Sequence, residues 1–140
     1  MIRLSTVTVV AAATMITAFA NLATAQGLPK FCNSNVLATN ALYSNVLSNG
    51  TTSEVAYHGQ FQNQDFQSRR TITATMSLVV ARFGRWEITR PLARFTLAPN
   101  QQNDVVLMVL RTTNASGQSA PTPAQVGAQI RFTCAFASAS

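Results

Sequence analysis

From Glu54 onward the chain alternates apolar and polar residues with a period of two. In "SEVAYHGQF" Val55, Tyr57, Gly59 and Phe61 fall on one side, and Glu54, Ala56, His58 and Gln60 on the other. In "TITATMSLVVAR" Ile72, Ala74, Met76, Leu78 and Val80 alternate with Thr71, Thr73, Thr75 and Ser77. Successive strand side chains point to opposite faces of a sheet, so this pattern predicts strands with one buried face. "QNQDFQSRR" between them is a polar loop interrupted by Phe66. Beyond Gly84, "RWEI" predicts a short strand that stops at Pro91, because proline cannot donate to a sheet ladder. "LARFTLAP" then places Ala93, Phe95 and Leu97 in phase, "NQQND" (Asn100 to Asp104) is a turn, and "VVLMVLR" is a continuous apolar run expected of a central strand.

Thr113 to Gln125, "TNASGQSAPTPAQ", is rich in small residues and proline and is expected to be a long flexible loop. "VGAQIRFTCAF" resumes the alternation, with Val126, Ala128, Ile130, Phe132, Cys134 and Phe136 in phase, and is expected to be the last strand. "SNVLATNALYSNVLS" (residues 34–48) is ambiguous. Its three asparagines and two valines make a poor helix even with Ser34 as N-cap, and Asn40 and Asn45 interrupt it as a strand. One or two short strands are expected there.

Short strands separated by turn signals predict an all-β domain, an antiparallel β-sandwich of about six to eight strands. The succession "VAYHGQFQN", "RTITATMSLV", "FTLAPNQQNDVVLMV" is similar, at the level of pattern, to immunoglobulin-like modules of secreted proteins. The resemblance covers most of residues 26–140 and rests on periodicity and turns. It implies an immunoglobulin-like sandwich and, since that architecture hosts many activities, no particular function.

The first residues change the picture of where this domain works. "MIRLSTVTVVAAATMITAFANLATAQ" has one charge, Arg3, then an apolar run, then Ala23-Thr24-Ala25. That order reads as a secretory signal peptide over residues 1–25, with cleavage expected after Ala25 and a second candidate site at Ala18-Phe19-Ala20. Ser5, Thr6, Thr8, Thr14, Thr17 and Asn21 dilute the run, so a retained transmembrane span is not expected. The remaining residues 26–140 suit a single domain. They carry nine basic residues, Lys30 and eight arginines, against Glu54, Asp65, Glu87 and Asp104, a net charge of +5. The expected location is therefore secreted or periplasmic.

An oxidising compartment makes one disulfide the simplest use of two cysteines, Cys32 and Cys134. With His58 the single histidine, Cys and His together cannot supply the four ligands of a structural zinc site, and no metal or other cofactor is expected. G-x-S-x-G, H-E-x-x-H, the P-loop and the dinucleotide fingerprint are all missing from the sequence. Glu54 and His58, the best local acid–base pair, would lie about 13 Å apart along a strand. A non-enzymatic module is expected.

The candidate binding chemistry lies in the arginines. Arg69, Arg70, Arg82, Arg85, Arg90 and Arg94 fall within 26 residues. If a strand ran unbroken from Arg70 to Arg82, its two ends would be about 40 Å apart, so the candidate cluster is the nearer group of Arg82, Arg85, Arg90 and Arg94 around Phe83 and Trp86. Guanidinium groups beside an aromatic ring suit sulfated or carboxylated glycans and phosphates; an ordinary charged sheet edge has the same composition. Tyr57, Phe61, Phe95, Phe132 and Phe136 follow strand phase and are expected in the core. The sequons at Asn49 and Asn114 bear on a eukaryotic secretory route alone. Three functions follow: an exported module contacting a protein or cell-envelope polymer, a binder of anionic polymers through the Arg-rich turn, and a subunit of a surface fibre. A nucleic acid is not the expected partner.

Overall fold

The computed structural model describes residues 28–113 and 119–138; the expected signal peptide and the Asn114 sequon lie outside them. The described residues form an all-β domain of two packed antiparallel sheets. Eight strands follow one another: β1 (Lys30–Phe31), β2 (Leu37–Ser48), β3 (Thr52–Asn63), β4 (Thr71–Leu78), β5 (Glu87–Ile88), β6 (Arg94–Leu97), β7 (Gln102–Thr113) and β8 (Ile130–Ala137). The larger sheet has the order β1-β2-β3-β7-β5 and the smaller β6-β4-β8.

The alternation in the sequence is the burial pattern in space. Val55, Tyr57, Phe61 and Asn63 of β3 turn inward, as do Ile72, Ala74 and Met76 of β4. Between the sheets Phe61 meets Phe95 and Phe132 at ring-centroid distances of 5.1 and 5.3 Å, and Phe31 meets Phe132 edge-on at 4.8 Å. Gly59 has a steric reason: a Cβ there would stand 2.4 Å from Cε2 of the buried Phe61 ring.

Residues 34–48 differ from expectation. A short 3₁₀ turn, Asn33–Asn35, precedes one long strand. Register shifts between Thr39 and Ala41 and between Val46 and Ser48 accommodate extra residues, and Asn40 is the first of them. Asn40 therefore bulges out of the strand instead of ending it. In β7 a similar shift explains the unbroken apolar run. His58 faces Val106 and Tyr57 faces Met108, so Leu107 is an extra residue and the period of two is lost there.

β4 ends at Leu78, and Val79 is 61% exposed, so the strand is about 23 Å long, shorter than the span assumed from the sequence. Val126 to Gln129 also differ, forming the end of a helix, α1 (Pro123–Gln129), before β8 begins at Ile130. Thr122 caps α1: its Oγ1 accepts from Gln125 N at 3.1 Å, while Gln125 Oε1 accepts from Thr122 N at 2.9 Å. With Pro123 in the first turn, this reciprocal box outweighs the local alternation. α1 packs on β2, and the buried Tyr57 hydroxyl donates to Pro121 O at 2.7 Å.

Covalent and polar ties join the sheets. Cys32, beside β1, is bonded to Cys134 in β8, with 5.6 Å between the Cα atoms. The fully buried Asn63 donates to Arg70 O (2.7 Å) and Leu97 O (3.1 Å) and accepts from Asp65 N (3.0 Å), fastening the loop that carries the chain from β3 to β4. Asp65 accepts from Arg70 Nε at 2.8 Å, which lowers its carboxyl pKa against the opposing effect of burial. Among the described residues no helix is long and apolar enough to cross a membrane.

Candidate functional site

The Arg-rich turn is built on a tight hairpin. Phe83 and Trp86 exchange backbone hydrogen bonds of 3.2 and 2.9 Å across Gly84, whose φ of +60° suits glycine. Trp86 is turned into the core at 5% exposure, with no hydrogen-bond partner for its Nε1 among the described residues. The indole therefore offers no free face on which a ligand could stack beside the arginines. Arg82 leans on Glu87 at 3.5 Å; Arg85 is exposed on the turn. Arg90 is exposed in the segment that leaves the larger sheet, and Arg94 is exposed on β6 of the smaller sheet, opposite Thr75. Ala93 marks the crossing: its N–H donates to Leu107 O and its carbonyl accepts from Met76 N, at 3.1 and 2.9 Å. Arg82, Arg85, Arg90 and Arg94 thus follow the crossing between sheets, without the aromatic platform expected from the sequence.

A second group of side chains converges on the outer face of the larger sheet. Register sets it: Tyr43 of β2 lies opposite His58 of β3, and Gln60 lies opposite Asp104 of β7. The Tyr43 and His58 rings stack in parallel, 4.7 Å apart. The Tyr43 hydroxyl donates to Asp104 Oδ2, raising the phenol pKa. His58 Nε2 meets Asn45 Oδ1 at 2.6 Å, and its Nδ1 faces Asp104 Oδ1 at 3.7 Å. Glu54, the partner considered for His58, instead lies opposite Arg111. His58 is thus held through Nε2 by Asn45, while its Nδ1 lies beyond hydrogen-bond distance of Asp104.

An amide network continues this face. Asn40 Nδ2 donates to Gln62 Oε1 and Gln102 Oε1 at 3.3 and 3.1 Å. Gln62 Nε2 donates to Asn100 Oδ1 at 3.1 Å, and Gln64 Nε2 to Gln62 Oε1 at 3.2 Å. Asn100 in turn helps line a shallow pocket of about 220 Å³ with Asp65, Phe66, Arg69 and Pro99. The sequence pattern assigns Gln62 and Gln64 to the polar loop "QNQDFQSRR" and Gln102 to the turn "NQQND", whereas β3 continues to Asn63 and β7 already begins at Gln102, which brings these amides onto one sheet face. The available signal was His58, Gln60, Gln62 and Gln64 at alternate positions, an outer face of amides where charges are the commoner choice.

The third feature is an edge. β1 pairs with β2 through Leu37 and Ala38 alone, so the flank of β2 from Thr39 to Ser48 has no strand partner among the described residues. No charged residue lies between Asn33 and Ser53, and Tyr43, Val46 and Leu47 are exposed. No group of three or more His, Cys, Asp or Glu side chains suited to hold a metal occurs among the described residues. No family model, curated protein or solved structure matches the chain.

Proposed function

We propose that this is an exported, non-enzymatic module, secreted or periplasmic after cleavage at Ala25, that acts by surface contact with a protein or cell-envelope polymer. The observation that carries the reading is the open flank of β2. An unpaired strand presents a row of backbone donors and acceptors, and proteins ordinarily protect such edges with charge, proline or a covering element. Thr39 to Ser48 has neither charge nor proline, α1 reaches β2 at Leu42, and the exposed Val46 and Leu47 beyond it suit strand addition by a partner. The immunoglobulin-like form of the reading is supported by two packed antiparallel sheets joined by a disulfide.

A photo-crosslinking residue at Tyr43, introduced in the producing cells, tests the contact. Adducts are expected in the exported fraction and are expected to disappear in the Val46→Lys/Leu47→Lys variant. Cytoplasmic retention, or adducts indifferent to the two lysines, would sink the proposal. The same edge favours a second reading as a surface-fibre subunit, which predicts a ladder of self-adducts. Binding of an anionic polymer, the remaining alternative, rests on the exposed Arg85, Arg90 and Arg94 and predicts heparin retention that the Arg85→Ala/Arg90→Ala variant loses.

A further inference from the structure

We infer that the outer face of the larger sheet, from Tyr43 and His58 to the amides around Gln62, binds a neutral, hydroxyl-rich polysaccharide. The inference rests on the reading of the domain as a surface-contact module and names the polymer. Three observations fix the ligand class. The face is a sheet surface built from β2, β3 and β7, which suits a chain lying along it better than a small molecule that needs enclosure.

The polar groups match hydroxyls. A carboxamide both donates and accepts, as a sugar hydroxyl does. The network described above engages both protons of Asn40 Nδ2 but leaves Asn40 Oδ1, Gln64 Oε1, Gln102 Nε2 and the Gln60 amide without side-chain partners among the described residues. Donors and acceptors are therefore both on offer, held in place by the remaining bonds. Asp104 adds a carboxylate that accepts only, already ordered by Tyr43.

Charge and shape complete the argument. Arg82, Arg85, Arg90 and Arg94 lie along the other flank, and Arg111, the arginine that β7 brings to this face, stands opposite Glu54, so this face has no cluster of cations with which to hold an anionic polymer. Tyr43 is 38% exposed, and its ring is fixed by the stack on His58. A rigid aromatic surface of this kind covers the apolar C–H face of a sugar at little entropic cost. From His58 to Gln62 the track runs about 13 Å, enough for several polar groups to act on one chain.

Affinity electrophoresis of the exported, disulfide-bonded protein in gels containing laminarin, xylan or hydroxyethyl cellulose tests the inference, with heparin as the anionic probe. Retardation by at least one neutral polymer is expected, unchanged between 50 and 500 mM salt because no ion pairs carry it (roughly a threefold change in Debye length). Tyr43→Ala and Gln62→Ala, each shown folded by circular dichroism, are expected to weaken it roughly tenfold, the equivalent of a lost stacking contact or hydrogen-bonded amide. Three results overturn it: no retardation by any neutral polymer, retardation indifferent to both substitutions, or retardation by heparin alone that salt abolishes. If the β2 crosslinks behave as expected while neutral polymers do nothing, the glycan assignment falls and the contact module stands.

Discussion

Replacing both cysteines, Cys32→Ala/Cys134→Ala, removes a bond that closes a sequence separation of 102 residues, nearly all of the described domain. The loop-entropy relation assigns a closure of this length about 4.7 kcal/mol at 25 °C, taken from the unfolded chain. The packing lost is minor by comparison, because both sulfurs are only half-buried and alanine keeps each Cβ. Phe31 against Phe132 joins the same two ends of the chain at 4.8 Å, but that contact exists in the folded state alone and leaves the freedom of the unfolded chain untouched. Urea unfolding at equal pH without reductant is the assay. With an m-value of about 1.5 kcal/mol/M, the midpoint is expected to fall by about 3 M, and m to rise as the unfolded ensemble expands. Since small domains are stable by about 5–15 kcal/mol, the variant should be near the limit of folding at 37 °C. A loss under about 1 kcal/mol with unchanged m would refute the reasoning, by showing that the unfolded chain keeps its ends together without the bond.

Burial pushes the Tyr57 phenol up to about 12 from the ordinary 10.0, so the neutral form is favoured in the fold. That contribution is complete below pH 10 and is lost as pH rises through about 12; it is worth on the order of 2–3 kcal/mol, and Tyr57→Phe should flatten this part of a stability–pH curve measured by urea unfolding. The lowered Asp65 carboxyl acts on the acid side: its stabilisation is present above the unfolded value of about 3.9 and is lost as pH falls through the depressed folded value. Thermal melts from pH 5 to pH 2 should show a smaller acid loss in Asp65→Asn than in the wild type. Gly59→Ala places a Cβ 2.4 Å from the Phe61 ring, which Phe95 and Phe132 hold, and should cost about 1–3 kcal/mol; Gly50→Ala, with nothing within 4 Å, is the matched control in the same urea titration.

Much of the fold is legible in residue order, for a physical reason. Strand burial is a local property, and "VAYHGQF" and "TITATM" state it in their alternation. Bulges are not local. Asn40 and Leu107 become extra residues only because β2 and β7 pair with β3 in one particular register. The helix is a different case, since Thr122, Pro123 and Gln125 spell its start, and the alternation of Val126, Ala128 and Ile130 hid it. Trp86 shows the same limit at the candidate site. A tryptophan in a turn between arginines has the composition of a binding surface, yet the Phe83–Trp86 hairpin points the indole inward.

The two sides of the larger sheet divide the chain's chemistry in a way that composition conceals. A net charge of +5 over residues 26–140 suggests a molecule that meets its partners through arginine, but Arg82, Arg85, Arg90 and Arg94 follow the crossing between sheets, while the outer face carries amides and a single arginine, Arg111, set against Glu54. His58 and Asp104 are 46 residues apart in sequence and meet because β3 and β7 are neighbours; Tyr43 reaches them from β2. Each strand supplies one part of the constellation, and none is interpretable alone. The open flank belongs to the same β2 that carries Tyr43, so a partner strand added there would extend the amide face by one strand. Edge and face are then one surface: strand addition would widen the platform, and a polymer lying across it would contact both molecules.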